Sequence, residues 1–341
     1  MKLKITLLKL QMFATQVTTQ NATGSDLSPE MKTFYDKTLL VSAKPKLVYE
    51  QFGQKRPIPK SSGKTIEFRK FSSLNKATTA LTEGVTPNGS SLNVTAITAT
   101  VSQYGDYITQ SDVLELTAID NTIVEATKVL GNQAGLTRDT IIRNELCGGT
   151  NVIYAPKISS DGAETVVTSR AALDATAKLT PDLVFKAVTQ LRAMNAPTIN
   201  GDYVCILHPH VAYDIMRSDE WLDAHKYATP ENIYTGELGK LGGCRFIDST
   251  EAKIWTGSGC PSGLAVYGCL FLGDNAYGVT EIEGGGLQHI VKQKGSAGTA
   301  DPLDQRSSVG WKSILVAKRL AEEFMVRVEC CSSYSATAKA N

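Results

Sequence analysis

His208-Pro209-His210 is the one close pair among the four histidines of this chain, and so the first place to look for chemistry. On a strand, an H-x-H pair can turn two imidazoles toward one metal, with Asp214 or Asp219 supplying oxygen. Pro209, however, sits where a helix should begin, so the two rings need not share a face. No third His or Cys stands at a ligand spacing. A metal-dependent hydrolase centred on His208 and His210 is therefore a distant alternative. The seven cysteines, at 147, 205, 244, 260, 269, 330 and 331, form no C-x-x-C pair and fit reduced thiols better than a disulfide framework. Most lie in apolar stretches, where Cys acts as a small hydrophobe. Glu283-Gly284-Gly285-Gly286 lacks a following Lys-Ser/Thr and opens onto a strand pattern, so it reads as a tight turn and not as a phosphate loop. No G-x-S-x-G occurs. These observations predict no catalytic residue, no metal site and no cofactor.

One polar cluster remains. Asp301-Pro302-Leu303-Asp304-Gln305-Arg306 places two acids and an arginine in a rigid turn just before an apolar strand. The Arg fork can take a carboxylate bidentately, either within the chain or across a subunit boundary. Asp301, Asp304 and Arg306 are candidates for either role.

The elements that would hold such residues are distinctive. Residues 1–28 read as a polar N-terminal arm, and Ser28-Pro29-Glu30 signals a helix start within a lead-in that covers 29–55. Residues 56–107 then read as an extended β-ribbon. Lys64–Phe71 and Leu92–Val101 have strand composition, and Gly, Pro, Asn and Ser punctuate the space between them. Its apolar residues are too few and too evenly spread to make a core, and two strands alone are marginal in water. The ribbon should lie on something else, and a second copy of the chain is the natural support.

After the ribbon comes the strongest helix pattern, from Ala118 to Leu146, with apolar residues at intervals of three and four. Gly131 and Gly135 each weaken it by about 1 kcal/mol relative to Ala, so a bend there would be no surprise. Thr180-Pro181-Asp182 caps a second helix, and the strand-like DYVCILHP leads into a third from His210. Short strands follow at 243–248, 264–272, 276–283 and 287–294, then two apolar stretches about a charged middle between Val309 and Cys330. This order is α+β, without the alternation of a doubly wound sheet. The residues from Ser332 onward read as a frayed polar tail.

Composition is that of a soluble globular protein, with 42% apolar and 20% charged residues over a length of 341. A net charge of +1 argues against a surface devoted to nucleic acid. No apolar run reaches the roughly 18 residues of a membrane span. The N-terminal MKLKITLLKLQMFA breaks at Lys9, short of the roughly 7–15 residues of an export signal's apolar region. Across the ribbon, Lys55, Arg56, Lys60, Lys64, Arg69, Lys70 and Lys76 outnumber Glu67, Glu83 and Asp106. Solvated strand faces explain that excess, and docking onto an acidic neighbour is the functional reading. Lys64, Arg69, Lys70, Lys76 and Glu83 are accordingly the ribbon's candidate subunit-contact residues.

Three C-terminal segments carry a family resemblance: NIYTGELGKLGGCRFIDST over Asn232–Thr250, LFLGDNAYGVTEIEGGGLQHIVKQKGS over Leu270–Ser296, and DPLDQRSSVGWKSILVAKRLAEEFMVRVE over Asp301–Glu329. With them the chain resembles major capsid proteins of tailed bacteriophages, in a subgroup marked by DPLDQR followed by VGWK. KLQMFA at residues 9–14 is similar to the starts of such proteins. The resemblance implies the tailed-phage and herpesvirus capsid fold: an N-terminal arm, an extended β-loop (56–107), a peripheral domain (108–179) with a spine helix (118–146), an axial domain (180–274), a return to the peripheral domain (275–330) and a C-terminal tail (331–341). It implies a structural protein, not an enzyme, which assembles through pentamers and hexamers into an icosahedral shell around double-stranded DNA. Portal, scaffolding or decoration proteins would be further partners, with no membrane. Assembly would occur in the host cytoplasm and the product would be the virion capsid. A nanocompartment shell protein of the encapsulin kind is the nearest alternative, and a tail-tube or other structural virion protein is weaker.

Overall fold

The computed structural model describes residues 17–18, 48–72, 74–118, 122–226 and 238–341. The helix expected from Ser28, nearly all of the N-terminal arm and the start of the Asn232–Thr250 segment lie outside the described residues. The chain divides into two compact units, one of residues 1–44, 103–135 and 285–313, the other of residues 45–102, 136–284 and 314–341.

The second unit is built on a mixed sheet whose centre is the strand Val266–Leu272. Every residue of that strand is buried, which explains its unbroken apolar sequence: both faces are covered, so no polar alternation is needed. On one side it pairs antiparallel with Tyr203–Leu207, which runs parallel to Cys244–Asp248. On the other it pairs antiparallel with Met325–Cys330, which is flanked in parallel by Val152–Tyr154. The helix Pro181–Ala193 starts where Thr180 Oγ1 accepts from Leu183 N at 3.3 Å. Its Leu183, Val184, Ala187, Val188 and Leu191 share one apolar cluster with Cys205, Leu207, Phe271 and Val328 of the sheet. Glu329, fully buried in the last strand, is held by Arg170 at 2.6 and 2.7 Å and by Arg327 at 2.8 Å. The Arg170 guanidinium also lies 4.0 Å above the Trp255 ring.

In the first unit, the strand Ser102–Ser111 leads into a short helix, Asp112–Thr117, capped by Ser111. Residues 308–312 of the strand Arg306–Arg319 pair antiparallel with Gln288–Lys292. Leu130 and Ala134 of the helix Thr122–Leu146 pack on Val309 and Trp311, with Tyr104 and Ile108 alongside. Gln133 ties these elements together, donating to Asp106 Oδ2 at 2.7 Å and accepting from Trp311 Nε1 at 3.1 Å.

Four expectations are corrected. The ribbon ends at Thr100, because Ser102–Ser111 pairs with the strand Arg306–Arg319 in another sheet. Where one helix is predicted from Ala118 to Leu146, Ala118 is the C-cap of the helix Asp112–Thr117, and the helix Thr122–Leu146 follows beyond residues 119–121, which lie outside the described residues. Met325–Cys330 does not join the sheet of Tyr277–Glu281 and Arg306–Arg319; it pairs with Val266–Leu272, because its wholly buried composition suits the larger sheet. The tail is fastened and not frayed: Ser332 Oγ donates to His210 O at 2.7 Å, Ser333 N to Asp214 Oδ2 at 3.0 Å, and Asn341 Nδ2 to Ala252 O at 2.9 Å. Its polar side chains find main-chain and carboxylate partners that no periodicity reveals.

Candidate assembly surface

The ribbon is a two-stranded antiparallel hairpin, Thr65–Phe71 against Val94–Thr100, in the register Thr65↔Thr100, Phe68↔Ile97 and Phe71↔Val94. The period of two separates its faces. Ile66, Phe68, Ile97 and Ala99 turn inward and are buried or half-buried, whereas Thr65, Glu67, Arg69, Phe71, Val94, Ala96, Thr98 and Thr100 are exposed. The ribbon's root does find support in its own unit. Phe68 is 5% exposed and lies against Gly278, where an added Cβ would stand 2.8 Å from the ring. Lys70 Nζ reaches Glu323 Oε2 at 2.7 Å and holds that carboxyl below its ordinary range. Both partners are solvated, so the pair contributes at most about 1 kcal/mol.

Beyond the root the support ends. Every described residue from Phe71 to Ala96 is exposed. Among them are Phe71, Leu74, Leu81, Val85, Leu92 and Val94, with Leu81 76% and Leu92 63% exposed. No regular structure covers residues 74–93, whose local hydrogen bonds are turns such as Val85 N to Thr82 O at 3.2 Å. Large apolar side chains exposed along a run of this length make it a candidate interaction surface.

The sequence-derived candidates sort unequally. Lys64, Arg69, Lys76 and Glu83 are exposed on the ribbon, Arg69 beside Glu67 at 3.0 Å. Lys70 is engaged within the chain by Glu323. Asp301 and Arg306 are engaged with one another's turn: Arg306 N donates to Asp301 Oδ2 at 2.8 Å, and the guanidinium donates to Ala300 O at 2.6 Å. Asp304 adopts a left-handed φ of +54° to close that turn and stays exposed. Of the two roles open for this cluster, the geometry supplies the intrachain lock. The apolar residues of the ribbon tip were not among the candidates. Their count argues only that they form no core; that they stay uncovered is visible only in three dimensions.

His208 and His210 are both engaged within the chain. His208 caps the helix Pro209–Met216, its Nδ1 accepting from His210 N at 3.1 Å. His210 Nδ1 lies 2.9 Å from Tyr267 Oη, and Asp214 is taken by Ser333. Burial, with the neighbouring His210 ring, pushes the His208 imidazole down to about 4. Asp219 opens the helix Asp219–Lys226. Among the described residues no group of three metal-ligating side chains converges.

Solved structures share this architecture. The capsid of Ralstonia phage GP4 superposes with a TM-score of 0.67 at 17% identity, covering 92% of this chain and 98% of that one. The capsid of cyanophage P-SCSP1u gives 0.66 at 15% identity, covering 93% and 98%. For cyanophage Pam1 the values are 0.61, 14%, 96% and 99%. The chain has the tailed-phage capsid fold. A holo encapsulin complex from Synechococcus elongatus shares the capsid fold at a lower TM-score of 0.53 and 9% identity. No family profile and no curated protein sequence matches the chain.

Proposed function

We propose that this chain is a major capsid protein, which polymerises into the icosahedral shell around the double-stranded DNA of a tailed bacteriophage. One observation carries the reading: a capsid-fold chain leaves the whole outer part of its ribbon, with its large apolar side chains, uncovered. A neighbouring copy is the partner whose surface recurs in every copy's reach. Heterologous contacts of this kind close into rings, here pentamers and hexamers, and the rings into a shell. Each buried apolar side chain contributes about 1.5–3 kcal/mol when fully covered, so individual contacts stay reversible while their sum is large. The near-neutral net charge suits a container that must release its genome, since a uniformly basic wall would retain DNA through its phosphates.

On this reading the role is structural, with no catalytic residue. The three C-terminal segments fit the subgroup marked by DPLDQR and VGWK. The strands and helices of 180–274 form the axial domain, and 108–179 with the strands of 275–319 the peripheral one. Lys64 and Arg69 supply polar contacts along the ribbon's strands, and Lys76 and Glu83 supply them at its apolar tip. Portal, scaffolding or decoration proteins complete the particle, which is assembled in the host cytoplasm and becomes the virion capsid.

Negative-stain microscopy of the purified chain tests the reading. Closed polyhedra are expected from the full-length protein. Excision of residues 74–92 with a short Gly-Ser link should leave a soluble, folded subunit that forms none, and normal shells from that deletion would refute the ribbon's role. The encapsulin alternative rests on a lower structural similarity. It requires particles isolated from the native host to hold protein cargo where the capsid reading requires double-stranded DNA.

A further inference from the structure

The segment that leads into the ribbon is fastened to the long helix through a buried carboxyl group. Asp139 is 1% exposed, and its Oδ1 accepts from both Val48 N at 3.2 Å and Tyr49 N at 2.9 Å. Among the described residues its second oxygen, Oδ2, is buried with no hydrogen-bond partner, and so is the hydroxyl of Tyr49. Around this point the lead-in is gripped again. Arg138 Nε and Nη2 donate to Glu50 at 3.1 and 3.0 Å, and Nη2 also donates to Glu281. Tyr277 Oη donates to Tyr49 O. Farther along, residues 54–55 pair in parallel with Gly278–Val279, and Ile58 bridges Ile282. The ribbon therefore leaves from a strap whose first fastening is a carboxyl group with one satisfied oxygen and one orphan.

An orphan carboxylate oxygen in a dry site is costly when charged and far less so when it carries a proton. The Tyr49 and Val48 N–H groups that bond to Oδ1 favour the charged form, but burial outweighs them. Tyr49 comes from the lead-in, Arg143 from the helix, Glu251 from the loop after Asp248 and Tyr277 from the neighbouring strand, while Glu50 and Glu281 are held by the adjacent Arg138. Arg143 favours the charged form, but its own guanidinium is committed to Glu251 O at 2.7 Å and to Asn144, while the Glu251 carboxylate opposes ionisation. Desolvation dominates and raises the Asp139 carboxyl to about 6.

We propose that Asp139 is a proton-gated latch: its neutral carboxyl group holds the Val48–Glu50 turn to the long helix, and its ionisation loosens that hold. The latch then operates in mildly acidic to neutral solution, and it acts on the strap before the ribbon and not on the ribbon's exposed tip.

Amide hydrogen exchange on the unassembled full chain tests this, with protection factors corrected for the intrinsic pH dependence of exchange. From pH 5 to pH 7.5 the peptide covering Val48–Ile58 should lose about tenfold in protection, the factor set by a carboxyl group titrating near 6 when latched and near its ordinary value when released. The central strand Val266–Leu272 should change far less. In D139N the lead-in's protection should no longer depend on pH, since the amide keeps an acceptor for both N–H groups and does not ionise. A flat wild-type profile overturns the proposal without any variant, and so does a pH dependence that persists in D139N.

Discussion

Asp139 and His208 are buried titratable side chains whose contributions to stability run in opposite directions with pH. His208 must stay neutral to accept the His210 N–H, and its imidazole is held down to about 4. Its folded pKa is depressed, so its contribution is present above its ordinary value near 6.5 and is lost as pH falls toward 4. The Asp139 carboxyl is raised to about 6, so its contribution is present below its ordinary value near 4 and is lost as pH rises through 6. Each shift corresponds to about 3 kcal/mol over its full window. Between pH 4 and pH 6 the two offset each other, and single variants should unmask them. H208N keeps a good cap acceptor that does not titrate. Its thermal midpoint should fall less than that of the wild type on acidification from pH 6.5 to pH 4. D139N should fall more steeply over the same range. Parallel curves for wild type and both variants would show that neither group is linked to folding.

At the level of elements, the ribbon's two strands lie within two residues of where composition and turn residues put them. The reason is local: Thr, Ile, Phe and Val alternate on a pleat, and Gly, Pro, Asn and Ser end it. Ser102–Ser111 was not legible, since SQYGDYITQS carries Gly, Asp and Gln and alternates weakly. It is a strand because the chain beside it closes tightly: an added Cβ on Gly310 would stand 2.8 Å from Tyr107 Cβ and 2.9 Å from Asp106 O. The same kind of close approach fixes the ribbon's root, where Gly278 makes room for the Phe68 ring. Phe68→Ala should therefore cost about 3 kcal/mol, read as a lower urea midpoint, and should expose the ribbon's root to exchange while leaving Pro181–Ala193 protected. An unchanged midpoint would mean that the root gains nothing from its own unit.

On the scale of the whole molecule, a chain with this fold has to be stable as a subunit while its ribbon tip remains uncovered. The larger sheet supplies that independence, and Glu329 is its most demanding point. Removing the carboxylate by Glu329→Ala would leave Arg170 and Arg327 facing one another without a counter-charge, a loss of about 3–5 kcal/mol in a chemical-denaturation measurement. A loss under about 1 kcal/mol would show that water takes the carboxylate's place. Sequence alone determined what depends on neighbours along the chain: the ribbon, the long helix, the Thr180 cap and the α+β order, each of which is written in periodicity and turn chemistry. It also places no third His or Cys at a ligand spacing from His208 and His210. Only the tertiary structure decided which strands pair, that Met325–Cys330 joins the larger sheet, that the polar tail is fastened, that Lys70 and Arg306 spend their charges within the chain, and that Asp139 is buried with an orphan oxygen. Those outcomes depend on contacts between residues far apart in sequence, whose energies come from burial and hydrogen bonding and leave no mark in local composition.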